Sequence, residues 1–540
     1  MINYFRNTVS FSRFVPFVCL IGVWSSLTLV APNPFAAPQP TSKISPALRQ
    51  AFLQQGTVDY LVVFGDEADL RSAAALPTKA AKTRFVYDQL RWQADHSQAA
   101  VLTLLKREGV SWRQHYLINA IAIRSDTHTA QQLAALSNVR RLSLVKPLAA
   151  PLPKPDTNQF PIPNPQSLIP NYQLPITNLQ SPTAIEWGVA RVKAPEVWNT
   201  YGKRGEGIVV ATADTGVQWD HPALKPHYRG WNGVTATHTY HWHDAIHGAS
   251  TACGSDTTIP CDDNGHGTHV TGIMVGDDGA GNQIGVAPGA QWIGCRNMAN
   301  GWGTIARYIE CFEFFLAPYP PNGNPLTDGR PDLAADIINN SWSCPPPSGG
   351  EDCDLAHLND IRTSVQNLEA AGILVVAAAS NYGSACSTVR EPPAIYPETF
   401  AVGATDSGDN IASFSSRGPV TIDGSNRRKP DVSAPGVNVR SSYPTNSYTT
   451  LNGTSMASPH ASGVAALLWS VVPTMSGNIT QTKTVLQDTA FPRTTLEGCG
   501  GDSGAAVPNN VYGYGIVNAF AAVQQFINLD KQLYFPFVAR

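Results

Sequence analysis

The chain has 540 residues, a net charge of −3 and 14% charged residues, against roughly 25% in ordinary soluble domains. That balance, with no basic run, argues against nucleic acid as a partner. The length allows more than one domain, and 44 glycines with 42 prolines point to a loop-rich, ordered body.

Residues 1–37 carry Arg6 and Arg13, an apolar run from Phe14 to Val30 and then small residues ending in PFAAP. This is the form of a secretory signal peptide, cleaved between Ala31 and Ala37, which makes the protein an extracellular one. An uncleaved membrane anchor is the competing reading, and Pro16, Ser25 and Ser26 weaken it. No later stretch could span a bilayer, so no membrane is expected in the mature form. Residues 38–147 read as strand (YLVVF), long helix (80–108), one β-rich run (HYLINAIAI), helix (THTAQQLAAL) and strand (RRLSLV). That order suits a small α+β sandwich of ferredoxin-like type. Residues 148–183 form a proline-rich linker, extended and open to processing, because such a stretch cannot build a packed core.

A larger unit follows over 184–528, with a short C-terminal tail over 529–540. Its first strand, IVVATAD, ends at Asp214, a carboxylate where a buried run meets a turn. An insertion over 230–262 holds His238, His241, His243, Asp244 and His247; without CxxC or helical HExxH spacing it reads as a polar surface loop. His266 stands between glycines in DDNGHGTHVTG, at the head of a small-residue helix. AQWIGCRNM, DLAADIINNSW and GILVVAAASN read as strands, the last ending at Asn381, and they alternate with helices over 304–315 and 354–371. This alternation predicts an α/β fold: a parallel sheet with helices on both faces and its chemistry at the carboxyl ends of the strands. In NGTSMASPHASGVA, Thr454 is a good N-cap, Pro459 is tolerable in the first turn, and Ser455 sits where unpaired backbone N–H groups favour a developing negative charge.

A serine nucleophile needs a base for its proton, and the base needs a carboxylate to fix its tautomer and balance its charge. Ser455, His266 and Asp214 supply those roles; singly, each is equally readable as a cap, a core histidine or a turn residue. His269 and His460 are read as structural, since one base suffices. Together, DTG, HGTHVTG and GTSMASPHASG closely resemble the subtilisin family of serine endopeptidases, over about residues 184–526 and in the family's order of Asp, His, Ser. The resemblance implies a subtilisin-like fold, protein or peptide substrates, no organic cofactor, and an oxyanion donor at Asn381. It places Ser341, Trp342 and Ser343 at the edge of the substrate-binding pocket. It further implies that the ferredoxin-like unit is an inhibitory propeptide, a partner of its own enzyme whose end lies in the active site until self-processing. Two departures stand out: SWS where the family has SLG, and Ser380 where it has glycine. Many relatives bind calcium, yet here Ala223 occupies an aspartate position, so no metal site is assigned.

Of nine cysteines, Cys19 lies in the signal segment, and the remaining eight read as disulfides of an exported protein. Short separations pair Cys253 with Cys261, Cys295 with Cys311 and Cys344 with Cys353, leaving Cys386 for Cys499. Two rival functions remain: a catalytically silent peptide binder, which should lack a triad residue, and a serine hydrolase of esters, which only a substrate panel separates.

Overall fold

The structure, a computed structural model, describes residues 43–149, 152, 184–248, 252–344, 353 and 355–534. The signal segment, most of the proline-rich linker and the end of the tail lie outside the described residues. The larger unit is built on seven parallel strands in the order Val432–Pro435, Phe400–Thr405, Leu374–Ala378, Ile337–Asn340, Val209–Asp214, Gln291–Arg296 and Trp242–Asp244. Successive residues point to opposite faces, so Val210, Ile337, Leu374 and Val376 enter one apolar layer while Ala211, Ile338 and Val375 enter the other. Burial on both faces is what a parallel sheet demands. The helices Ala194–Tyr201, Thr454–Val471 and Ala519–Tyr534 cover one face, and Ile305–Leu316 with Leu355–Ala370 cover the other.

Val209–Asp214, the earliest strand of this sheet in the chain, lies in its interior. The chain first builds out to one side of it and then returns to place Ile337–Asn340 on the other. Such a reversal of strand order opens a crevice at the carboxyl ends, where open α/β sheets take their ligands. Asp214 ends one of the two flanking strands, and Ser341 directly follows the other.

Two sequence expectations change here. The histidine-rich insertion is more than a surface loop: Trp242–Asp244 pairs with Gln291–Arg296 as an edge strand, and His243 and Asp244 are buried. The stretch read as tail from 529 is helical at its start, as the end of a helix that runs from Ala519 to Tyr534.

The N-terminal unit is a four-stranded antiparallel sheet, ordered Trp112–His115, Ala120–Ser125, Val58–Phe64, Val139–Leu144, with helices Lys79–Glu108 and Thr127–Ala135. This is the ferredoxin-like order. The run HYLINAIAI is therefore not one strand: it holds the end of Trp112–His115, the hairpin turn and the start of Ala120–Ser125. Asn119 makes the turn with φ +49, and its Oδ1 accepts hydrogen bonds from Ser97 (2.9 Å) and Gln98 (3.1 Å) of the long helix. The unit packs on the helices Ile305–Leu316 and Leu355–Ala370 and shares a continuous core with them. Among the described residues, four ion pairs cross this junction, Lys79–Asp336 (2.8 Å), Arg84–Asp332 (4.0 Å), Arg113–Glu310 (2.9 Å) and Arg141–Asp360, together with the His115–Glu313 hydrogen bond (3.0 Å). In each the basic group belongs to the N-terminal unit. Past it, Leu148–Ala149 pairs antiparallel with Trp302–Gly303, as the third strand beside the hairpin that Trp302–Gly303 forms with Met298–Ala299.

All four disulfides form as expected from the spacing. Cys386–Cys499 closes the widest separation, 113 residues, and so restricts the unfolded chain most, by about 4–5 kcal/mol on a chain-entropy estimate.

Candidate active site

Asp214 and His266 have fully buried side chains, and His266 Nδ1 lies 2.8 Å from Asp214 Oδ1. A histidine nitrogen facing a carboxylate carries the proton, which leaves Nε2 as the basic atom; Nε2 has no hydrogen-bond partner among the described residues. Two glycines permit the close approach of the two motifs. A Cβ at Gly267 would stand 2.0 Å from the Gly216 carbonyl oxygen, and one at Gly216, φ +110, would stand 1.8 Å from that of Cys261. Thr215 then joins the motifs: its hydroxyl donates to Asp262 (2.8 Å) and accepts from the Gly267 N–H (3.0 Å). Asp262 also takes N–H bonds from Gly265 and Thr268. Sequence reasoning passed over Asp262, although a carboxylate three residues before a glycine turn is a recognisable local signal.

Ser455 is the second residue of the Thr454–Val471 helix, and the residue before the helix is Gly453, with no side-chain cap. Thr454 is thus not the N-cap expected from its type. Its N–H and hydroxyl both donate to Asn381 Oδ1 at 2.9 Å, an acceptor brought in from 73 residues away. Pro459 is the sixth helical residue, beyond the first turn. Lacking an N–H, it cannot serve the carbonyl four residues earlier, which is that of Ser455. The Ser341 hydroxyl donates to that carbonyl instead (2.8 Å), and the Ser455 hydroxyl donates back to the Ser341 carbonyl (2.9 Å). This reciprocal pair pins the helix start to the end of the strand Ile337–Asn340, with the Ser455 hydroxyl turned toward Ser341 and not bonded to His266.

The strand expected to reach Asn381 ends at Ala378, because Ser380 adopts φ +79 and turns the chain. Asn381 therefore sits in the loop beyond the sheet edge. With its Oδ1 engaged by Thr454, its amide nitrogen is free to face the crevice. Ser341, Trp342, Ser343, Ala378, Ser380, Asn381, Thr454 and Ser455 line one recess. The Trp342 indole contributes mainly to the core, stacking on Tyr308 with ring centres 4.0 Å apart.

The other histidines are accounted for by protein partners. His460 is buried against Gly188, donates from Nδ1 to the Met456 carbonyl (2.8 Å), and is pushed down by burial to about 4. His269, also buried, is pushed down to about 3, by burial first and by His266 next. An exposed histidine titrates near 6.5, so the unfolded chain takes up these protons first. The stability that neutral burial contributes is complete above pH ~6.5 and is lost as pH falls toward 4 and then 3, by on the order of 1 kcal/mol per pH unit per histidine. His460→Gln should flatten the fall of Tm between pH 6.5 and 4.5; an unchanged slope in thermal melts would refute this.

In the insertion, His243 and His247 bond to Glu310 (2.6 and 3.1 Å), His238 to the Tyr228 hydroxyl (3.0 Å), and His241 accepts from Arg229 (2.9 Å). Among the described residues no group of three or more His, Cys, Asp or Glu is disposed to hold a metal ion. Ala223 is a buried residue with no side-chain oxygen to offer a cation.

The subtilase family model matches residues 205–515, more than half of the chain and all of the site just described. The chain belongs to the subtilase family of serine endopeptidases. Within that family it is 36% identical to Bacillopeptidase F of Bacillus subtilis (strain 168), over 89% of this chain and 32% of that protein. It is 34% identical to Subtilisin BL of Lederbergia lenta, over 63% of this chain and 99% of that protein. M-protease of Shouchella clausii (strain KSM-K16) is also 34% identical, over 63% of this chain and 70% of the relative. The chain thus spans about a third of Bacillopeptidase F and nearly all of Subtilisin BL. No described helix is long and apolar enough to cross a membrane.

Proposed function

We propose that this subtilase is a secreted endopeptidase that hydrolyses peptide bonds of proteins through an Asp214, His266, Ser455 triad, and that it processes itself from a precursor. The observation that carries the reading is the buried Asp214–His266 pair, set in the crevice where the helix bearing Ser455 is pinned to Ser341. Ser455 Oγ, swung off the Ser341 carbonyl, attacks the scissile carbonyl carbon while His266 Nε2 takes its proton. Asp214 holds the Nδ1 proton and balances the imidazolium. The tetrahedral oxyanion is met by the Asn381 amide and the Ser455 N–H. Collapse expels the amine with the proton from His266, and water, activated by the same base, then frees the acyl group.

In this reading residues 1–37 are the signal, 38–147 the propeptide, 148–183 the linker and 184–528 the peptidase. The pairing of Leu148–Ala149 with Trp302–Gly303 supports it, because adding a strand to an open sheet edge is how an extended peptide is held. The test is reaction of the purified protein with a labelled organophosphate, alongside digestion of an unfolded protein substrate. Label on Ser455 together with peptide products is expected; label elsewhere, or cleavage of esters alone, overturns the proposal.

A further inference from the structure

We infer that Glu391 makes this site select lysine or arginine as the residue whose carbonyl is attacked, an inference that rests on the endopeptidase reading. The recess walled by Ser341-Trp342-Ser343 on one side and Ala378, Ser380 and Asn381 on the other adjoins Ser455, so the side chain of the residue under attack is the one within its reach. Glu391 stands directly behind this wall. It is 1% exposed, and its Oε2 accepts a hydrogen bond of 2.5 Å from the Ser343 hydroxyl.

No described cation is paired with this carboxylate. Arg390, its neighbour in sequence, is exposed and lies over the Tyr382 ring at 4.9 Å; it acts on Glu391 as a nearby charge without closing to ion-pair distance. Burial pushes the Glu391 carboxyl up, and the hydrogen bond from Ser343 is the foremost influence opposing it. The hydroxyls of Tyr382 and Ser380 and the more distant charge of Arg390 oppose it further; the site thus already bears the desolvation of an acidic group, and an arriving ammonium or guanidinium supplies the close counter-charge that Arg390 does not. A leucine or phenylalanine in the same place would bury apolar surface against a carboxylate and serine hydroxyls that it cannot satisfy. The recess is tight, about 10 Å³, and the Ser343 hydroxymethyl is the group that a long side chain has to turn aside to reach Glu391.

The experiment is a set of fluorogenic peptides differing only at that residue (Lys, Arg, Ala, Leu, Phe, Glu), with kcat/KM read for wild type and Glu391→Gln. Wild type should favour Lys and Arg over Leu by at least ~10-fold, and Glu391→Gln should lower the Lys-to-Leu ratio by about 10–100-fold. The wild-type series needs no variant, and organophosphate labelling of Ser455 reports that Glu391→Gln is folded. A wild-type preference for Leu, Phe or Ala, or an unchanged ratio in folded Glu391→Gln, overturns the selectivity while leaving the endopeptidase reading intact. Labelling of Ser455 with no peptide cut at any residue overturns both.

Discussion

Ser455→Ala is expected to lower kcat on peptides by about 10⁶-fold, a figure that belongs to subtilisin and is carried over with the family. The hydroxyls that flank Ser455 at the helix start are otherwise engaged. That of Ser341 donates to the Ser455 carbonyl, and that of Thr454 donates to Asn381. The fold should tolerate the change, since the lost hydroxyl makes one hydrogen bond, to the Ser341 carbonyl, worth about 1 kcal/mol. The variant should therefore melt within a few degrees of wild type, fail to react with an organophosphate, and keep its N-terminal unit covalently attached when other proteases are excluded. Residual turnover above ~1% of wild type in a preparation free of contaminating protease would remove Ser455 from the mechanism.

Asn381→Ala should cost about 10²–10³ in kcat with KM nearly unchanged, again a magnitude taken from subtilisin's own oxyanion donor. Here the geometry adds a second effect. Asn381 Oδ1 accepts from both the N–H and the hydroxyl of Thr454, so alanine would also strand two donors at the head of a buried helix, for about 1–3 kcal/mol of stability. Asn381→Asp separates the two roles, because it keeps an acceptor for Thr454 and removes the amide donor. It should lose kcat as severely as alanine while holding a higher Tm. If Asn381→Asp turns over like wild type, the amide is no oxyanion donor and its only service is to Thr454.

The sheet, its helices and the Asp, His and Ser motifs were legible because each is written in contiguous residues: apolar runs of strand length, and glycines where two backbones must nearly touch. What escaped was decided by partners distant in the chain. Thr454 has the chemistry of a cap, yet Asn381, supplied by another loop, competes for its hydroxyl and prevails. Pro459 is tolerated six residues into a helix only because Ser341 answers the carbonyl it leaves open. Trp242–Asp244, embedded among histidines, became a strand once Gln291–Arg296 offered it an edge. Glu391 sits in REPPA, a segment without periodicity, and only the folded chain brings it behind Ser343.

The four ion pairs at the junction with the N-terminal unit carry their basic members on one side and their acidic members on the other. If the linker is cut as proposed, that segregation makes the encounter of the two parts a problem of long-range attraction. Opposite potentials steer diffusing partners together, and dissolved salt shortens the reach of that pull to about 8 Å at physiological ionic strength. The rate at which a separated N-terminal unit finds the peptidase should therefore fall steeply as sodium chloride is raised. The rate at which it leaves should respond far less, because the His115–Glu313 pair is sealed from solvent.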